Sequence, residues 1–416
     1  MQKIHHTGKS NTDKNTKFTV IIPTRERSDT LSYCLKTVTT QNYDNLEILV
    51  SDNFSQDDTE EVVRSFNDPR IIYKNTGKRV SMSHNWEFAL NHVTDGWVTI
   101  VGDDDGLLPG ALVKVASIIK ETGCRAITSK WCYYYWPNSG VAQENLLIIP
   151  LSSGFEIRNG RKWLRKLMRG DAVYPDLPCL YTGGFANISV INHARERDGS
   201  FFLSMTPDVY SAIALASVLE NYVMLNEPIA VAGVSSHSNG TSSLGIGTNL
   251  IPAAKFFSEQ NIPFHRSLAD GEVLKSIPII VYESYLKSTH LHNDFLNVRM
   301  EDQLGLALSR AMPQHYADLR KYCSKIAHNN GICMHSVDHN LRKHKLLNTI
   351  QKSKEVLSHI SGRLAISGKE FGIQDIYAAV ILAKSTYLLE THYAHWKLDN
   401  VSRISKKILN SFFQFS

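Results

Sequence analysis

The 416-residue chain has little of several things that would settle its class at once. It holds six cysteines, at 34, 124, 132, 179, 323 and 333, with no Cys-x-x-Cys pair among them. That spacing argues against a disulfide framework and predicts reduced thiols in a cytoplasmic setting. No apolar run reaches the roughly 18 residues of a membrane span, so any membrane contact is expected from the side, at the inner face. The stretch Met1 to Lys17 is polar, without the apolar centre of a secretory signal, and is expected to be a disordered lead. The formal net charge of +5 is small for this length. It permits an anionic ligand and gives no reason to expect nucleic acid. Two phosphate-binding signatures are also missing. No Gly-x-Gly-x-x-Gly follows the first strand-like run, and no Gly-x-x-x-x-Gly-Lys-Ser/Thr occurs anywhere. A dinucleotide-binding Rossmann domain and a P-loop nucleotidase are thereby disfavoured.

What the chain has is an ordinary globular balance, 43% hydrophobic and 20% charged, enough for a large core. Strand and helix signals alternate from residue 18. The runs Phe18–Ile22, Leu46–Val50, Arg70–Tyr73, Trp97–Val101 and Arg125–Trp131 read as buried strands. Between them, Leu31, Leu35 and Val38, then Val62, Val63 and Phe66, then Trp86, Ala89, Leu90 and Val93, and Leu112, Val113, Ala116 and Ile119 mark helix faces. This order predicts a mostly parallel sheet with helices on both faces, whose ligands bind beyond the carboxyl ends of the strands. The polar clusters fall there: Thr24-Arg25-Glu26, Asp52-Asn53 and Asp103-Asp104-Asp105. Residues 132–180 are aromatic and rich in loops. Beyond Gly247, glycine and proline thin out and helical periodicity takes over.

The triplet Asp103-Asp104-Asp105 directly follows an apolar strand. Adjacent carboxylates repel and raise one another's pKa unless a cation lies among them. An oxygen-rich cluster at a strand end suits Mg²⁺ or Mn²⁺, ions that commonly bridge to substrate phosphates. The same residues also suit an acidic turn in which Asp104 or Asp105 caps the helix beginning near Pro109.

Five blocks, in order over about residues 18–237, resemble the inverting GT-A-fold glycosyltransferases of family two. Val20-Ile21-Ile22-Pro23-Thr24-Arg25-Glu26-Arg27 is similar to their opening strand and nucleotide loop. Ser51-Asp52-Asn53-Phe54-Ser55-Gln56-Asp57-Asp58-Thr59 resembles their second-strand signature, with Asn53-Phe54 in place of the usual Asp-Gly. Lys74-Asn75-Thr76-Gly77 with Asn85 resembles the third block. Gly102-Asp103-Asp104-Asp105 with Pro109 stands where the DxD motif belongs, Gly102 replacing its first Asp. Thr206-Pro207-Asp208 resembles the Glu-Asp motif that supplies the base, Pro207 replacing Glu.

The resemblance implies a GT-A fold, Rossmann-like with a mostly parallel sheet, followed by a helical C-terminal region. It implies transfer of a sugar from a nucleotide-diphosphate donor, commonly a UDP-sugar, to a hydroxyl of a glycan or lipid-linked acceptor in polysaccharide biosynthesis. It makes Asp104 the expected metal ligand, with Asp105 and His237 beside it, and turns Asp103 toward the ribose. Asp208 becomes the base, with a helix N-cap as its competing role. Asp52 would accept from a nucleobase N–H, where otherwise it is a turn residue. Pro23, Thr24, Arg25, Glu26, Asn53, Lys78 and Asn85 would line the nucleotide pocket. Lys78 also suits a solvated basic loop, and Asn85 a polar place on an amphipathic helix. His237 is otherwise an exposed loop residue. The run Gly240 to Gly247 has the composition of a lid or of a linker.

The expected layout is a lead over 1–17, a glycosyltransferase domain over 18–250, and helices over 251–416. Within the domain, 18–130 would bind nucleotide and 131–250 would supply acceptor and base. Arg158, Arg161, Lys162, Arg165, Lys166 and Arg169 recur at helical spacing opposite Trp163, Leu164, Leu167 and Met168. This helix, and the basic apolar tail 403–415, either dock peripherally on an anionic membrane or pack an apolar face inward. Cys323, His328, Cys333, His335, His339 and His344 fit no common zinc spacing and read as helical surface. The competing readings are a sugar nucleotidyltransferase, for which residues 23–26 lack a glycine-rich loop, and a silent carbohydrate-binding scaffold, which Gly102 and Pro207 keep open.

Overall fold

A computed structural model describes residues 15–238, 254, 256, 258–269, 276–292 and 296–400. The tail 403–415, the run Gly240 to Gly247 and most of the lead lie outside the described residues.

Four parallel strands form the half of the sheet that carries the first blocks. They are β1 (Phe18–Thr24), β2 (Leu46–Asp52), β3 (Ile71–Asn75) and β4 (Trp97–Ile100), in the order β3-β2-β1-β4. The apolar runs of β1, β2 and β4 are buried on both faces, as a sheet covered by helices requires, while β3 at the edge is partly exposed. The register pairs Thr24 with Asp52, so the first two blocks emerge side by side. Helix α1 (Ser28–Thr39) buries Leu31, Leu35 and Val38 on one face of the sheet, and α4 (Ala111–Thr122) buries Leu112 and Val115 there too. On the other face lie α3 (Met82–Leu90) and α7 (Pro207–Val218), with Trp86, Ala89, Tyr210 and Ala214 in one cluster.

Beyond β4 the sheet turns mixed. The strands there are β5 (Gly106–Leu107), β6 (Ala126–Tyr135), β7 (Leu146–Pro150), β8 (Phe155–Asn159), β9 (Phe185–Asn187), β10 (Asn221–Val234) and β11 (Arg363–Ser367). Only β10–β6 is parallel in this half, while β6–β7, β7–β11, β8–β10 and β4–β9 run antiparallel. The mostly parallel sheet expected from the sequence is therefore present, with its antiparallel pairs gathered beyond the first four strands. The strands β8 and β11 went unseen in the sequence because their partners lie far along the chain, and β7, which pairs with the neighbouring β6, lay in a stretch read as loop-rich.

The C-terminal region is largely helical and shares cores with the first half. Helices Ile277–Lys287, Met300–Ser309 and Tyr316–Asn329 pack with α7 and with α5 (Gly160–Arg169). Helix Ile376–Asn400 covers the far face of β6 and β7 through Ile376, Val380 and Ala383. One expectation is corrected here. Arg158 is not on the basic helix; it lies on β8, buried. It pairs with Glu156 and stacks its guanidinium 3.5 Å over Trp163. Leu164, Leu167 and Met168 of α5 are buried in the core, so only the charged side of that helix faces outward. Among the described residues no helix is long and apolar enough to cross a membrane.

Candidate active site

The three acidic side chains after β4 are buried together, and each has a different set of neighbours. Asp103 accepts from Arg27 Nη1 at 2.8 Å. Burial raises its pKa, Arg27 lowers it and Asp104 raises it again. Asp104 Oδ2 accepts from Ser235 Oγ at 2.6 Å and Ser238 Oγ at 2.9 Å, while Oδ1 accepts none of the described hydrogen bonds. Asp105 has both oxygens engaged: Oδ1 by Gly233 N at 2.6 Å, Oδ2 by Gly102 N at 3.1 Å and by Thr182 Oγ1. Burial and the neighbouring Asp104 push Asp105 up to about 7. It therefore ties the end of β4 to β10 and to the loop before β9. The arrangement also explains Gly102. A Cβ there would stand 2.7 Å from Asp105 Oδ2 and 2.8 Å from the Tyr181 hydroxyl, so a larger residue has no room. Gly233 is fixed by the same crowding, since a Cβ would fall 1.9 Å from the Asp104 carbonyl.

The residues expected from the sequence to line a nucleotide pocket gather mainly at the carboxyl ends of β1, β2 and β3. Asp52 is buried; its Oδ2 accepts from Tyr73 OH at 2.6 Å and Asn75 Nδ2 at 2.8 Å, its Oδ1 from Ser55 N at 3.0 Å. Asn53 bonds both ways with the Val80 backbone, at 2.7 and 2.9 Å. Glu26 joins the first loop to the second through Ser55 Oγ and Gln56 N. Glu26 and Phe54 both adopt positive φ, 52° and 59°, in the left-handed region where the usual glycine in place of Phe54 would be unstrained. Thr24 is buried and Pro23 half-buried at the end of β1. Arg25 pairs with Glu259, which also accepts from Arg79 Nη2 at 3.1 Å. Asn85 is buried and faces Ser51, bonding its hydroxyl at 2.7 Å and its carbonyl at 3.2 Å, so it fastens α3 to β2. Lys78 is exposed on the neighbouring loop.

His237 presents its carbonyl to Arg27 Nη2 at 2.5 Å, and its imidazole lies 3.5 Å from Asp29 Oδ2. The Asp29 carboxylate raises the His237 pKa. A cleft of about 460 Å³ opens beside it, lined by Asp29, Tyr33, Trp136 and Ser235 among others. Among the described residues no three His, Cys, Asp or Glu side chains converge as a ready-made metal cage. That includes the histidines of the C-terminal helices, where His344 is buried against Asp302 at 3.3 Å.

Asp208 stands in the first turn of α7, after Thr206, whose side chain makes no cap bond. Its Oδ2 accepts from Tyr174 OH at 3.0 Å. Burial raises its pKa, and the Val209 amide and Tyr174 partly offset that. Pro207 occupies the first helical position, where its missing N–H costs nothing. The Tyr181 hydroxyl is within electrostatic reach of Asp105, Asp104 and Asp208. Its ring stacks on Trp86, centroids 5.6 Å apart. Sequence reasoning missed Arg27, Tyr73, Tyr174, Tyr181 and Glu259 as site residues. Arg27 was within a quoted block; the others carry no local signal.

Residues 19–171 match the model of glycosyl transferase family 2. Among curated proteins, a GalNAc(5)-diNAcBac-PP-undecaprenol beta-1,3-glucosyltransferase of Campylobacter jejuni is 38% identical over 99 residues, 23% of this chain and 32% of that protein. Glycosyltransferase GlyA of Streptococcus pneumoniae is 36% identical over 94 residues, 21% of this chain and 13% of that one. The matches thus span less than a third of either relative's length. Similar solved structures include S. aureus TarS 1–349 in complex with UDP-GlcNAc, 17% identical with TM-score 0.42, covering 80% of this chain and 92% of that one. Another is the mannosyltransferase PcManGT from Pyrobaculum calidifontis in complex with GDP-Man and Mn²⁺, 16% identical with TM-score 0.37, covering 79% and 87%.

Proposed function

We propose that this chain, which carries a glycosyl transferase family 2 domain over residues 19–171, is an inverting, metal-dependent glycosyltransferase. Its donor is a nucleotide-diphosphate sugar. Its acceptor is a hydroxyl of a glycan or lipid-linked saccharide, the class named in the Campylobacter relative. The observation that carries this reading is the position of Tyr181. One aromatic residue is within reach of Asp104 and Asp105 on one side and Asp208 on the other. Donor-side and base-side carboxylates are thus both near one side chain.

Asp52, buried and held by Tyr73, Asn75 and Ser55, is offered to a nucleobase N–H. Thr24, Arg25 and Glu26 line the nucleoside beside it, with Pro23 and Asn53 shaping the two loops. Arg27 holds Asp103 in place for the ribose. Lys78 stands at the edge for phosphate or base. Asn85 contributes by fixing the strand end behind Asp52.

The residues present fit a hard divalent ion, Mn²⁺ or Mg²⁺. Three carboxylates are buried together with one guanidinium, that of Arg27, in contact with Asp103, and such ions are commonly held by one or two carboxylates plus substrate phosphates. Asp104, with Oδ1 open, would hold it. Asp105 fixes the turn that presents Asp104, and His237 closes that side. When bound, the ion neutralises charge developing on the leaving diphosphate. Asp208 takes the acceptor hydroxyl's proton as that oxygen bonds to the anomeric carbon. The bond to the diphosphate breaks on the opposite face, so one carboxylate suffices and configuration inverts.

The test is product mass spectrometry across a panel of nucleotide sugars with saccharide acceptors. Asp208→Ala and Asp104→Ala are each expected to lower transfer at least a hundredfold, with the circular dichroism of the folded protein retained. Wild-type transfer rates in either folded variant would remove its assigned role.

A further inference from the structure

On strand β6 the side chains alternate between two environments. Cys132 and Tyr134 are buried under helix Ile376–Asn400. Trp131 and Tyr133, on the opposite face, remain half-buried. They touch edge to face, centroids 6.2 Å apart, and Trp131 also meets the edge of Tyr181 at 6.3 Å. Tyr133 is in turn within electrostatic reach of Tyr174, whose hydroxyl is bonded to Asp208. Four aromatic residues from three separate segments thus lie near one another, and one of them, Tyr174, bonds the carboxylate proposed as base. On this same face, Ser129 Oγ and Trp131 Nε1 are buried and find no hydrogen-bond partner. Polar groups left unpaired in this way are costly in a finished core and useful against a ligand that brings hydroxyls.

We infer that Trp131 and Tyr133 form the acceptor subsite and that it takes a pyranose ring. A pyranose has an apolar face of C–H bonds and a rim of hydroxyls. Half-exposed aromatic rings match the first, and polar aromatic edges match the second. An acyclic polyol offers no such face. The ring would lie with one hydroxyl toward Asp208, between Tyr174 and Tyr181. This subsite rests on the transferase reading above for its role, while its binding chemistry can be measured apart from turnover.

The experiment is saturation-transfer NMR with methyl β-glucoside and methyl β-N-acetylglucosaminide as probes, and sorbitol as the ringless control. It is run beside nucleotide titration and acceptor kinetics. Trp131→Ala and Tyr133→Ala are expected to weaken glycoside binding and raise acceptor KM about tenfold each, the scale of one lost aromatic contact. Trp131→Phe and Tyr133→Phe should retain most of both. Nucleotide affinity should stay at the wild-type level in all four. Unchanged glycoside binding in folded alanine variants would overturn the subsite, as would sorbitol competing equally well. So would a parallel loss of nucleotide affinity, which would place this face on the donor. Glycoside binding sensitive to Trp131 in a protein that binds no nucleotide would instead overturn the transferase reading and leave the subsite standing.

Discussion

Asp208 holds a charge in a place that opposes it. Burial raises its pKa, and the Val209 amide and Tyr174 hydroxyl bring it part of the way back. A carboxylate balanced in this way accepts a proton more readily than a solvated one, as a base working near neutrality should. The acid limb of the kcat profile is expected above about 3.9, the value of a free aspartate. Tyr174→Phe removes a bond that favours the charged form, so the limb moves further up, with donor KM unchanged. A limb that coincides with wild type would take the tuning role from Tyr174. Asp208 was singled out in the sequence by its resemblance to the family's base motif. Tyr174 was not, because it reaches Asp208 across 34 residues from a turn with no motif of its own. Arg158 shows the same blindness from the other side. Its spacing continued a helical stripe, yet it belongs to a strand and bonds the carbonyl of Asp176, in the turn that carries Tyr174.

Helix Ile277–Lys287 fastens the C-terminal region to α7, and it does so with a buried acid. Glu283 is fully enclosed and accepts from Ser204 Oγ at 2.5 Å. Burial pushes its pKa from an ordinary 4.5 up to about 7. Between those values the unfolded chain has already lost this proton and the folded chain keeps it. Stability therefore falls as pH rises from 4.5 toward 7, then stays at the lower level. For Glu283→Gln that part of the slope disappears. Urea unfolding at pH 5 and pH 7.5 is expected to show the variant losing on the order of 2–3 kcal/mol less than wild type across the interval. An equal loss would mean that Glu283 stays ionised in the fold. The early strands and helices were readable because apolar runs and periodic faces are local patterns. β8 and β11 were not, because a strand that exists by pairing with distant partners has a weak pattern of its own.

Across the whole molecule, the C-terminal region is part of the structure that positions the site. β11 extends the main sheet, and Ile376 and Val380 lie close against Gly106, directly after the acidic triplet. Glu259 engages Arg25 and Arg79 beside the nucleotide loops. The parallel half supplies Thr24, Asp52 and Asp103 at adjoining strand ends, and the mixed half supplies Tyr174, Tyr181 and Asp208. In the proposed function these ends bind a nucleoside diphosphate together with a divalent ion held by Asp104. Isothermal titration of the full chain with UDP, GDP and CDP, with and without Mn²⁺, tests it most directly. Binding of one nucleotide that strengthens at least tenfold with Mn²⁺, and loses that gain in Asp104→Ala, is the predicted result. Binding of none of the three nucleotides, or Mn²⁺ dependence that survives in Asp104→Ala, would contradict it.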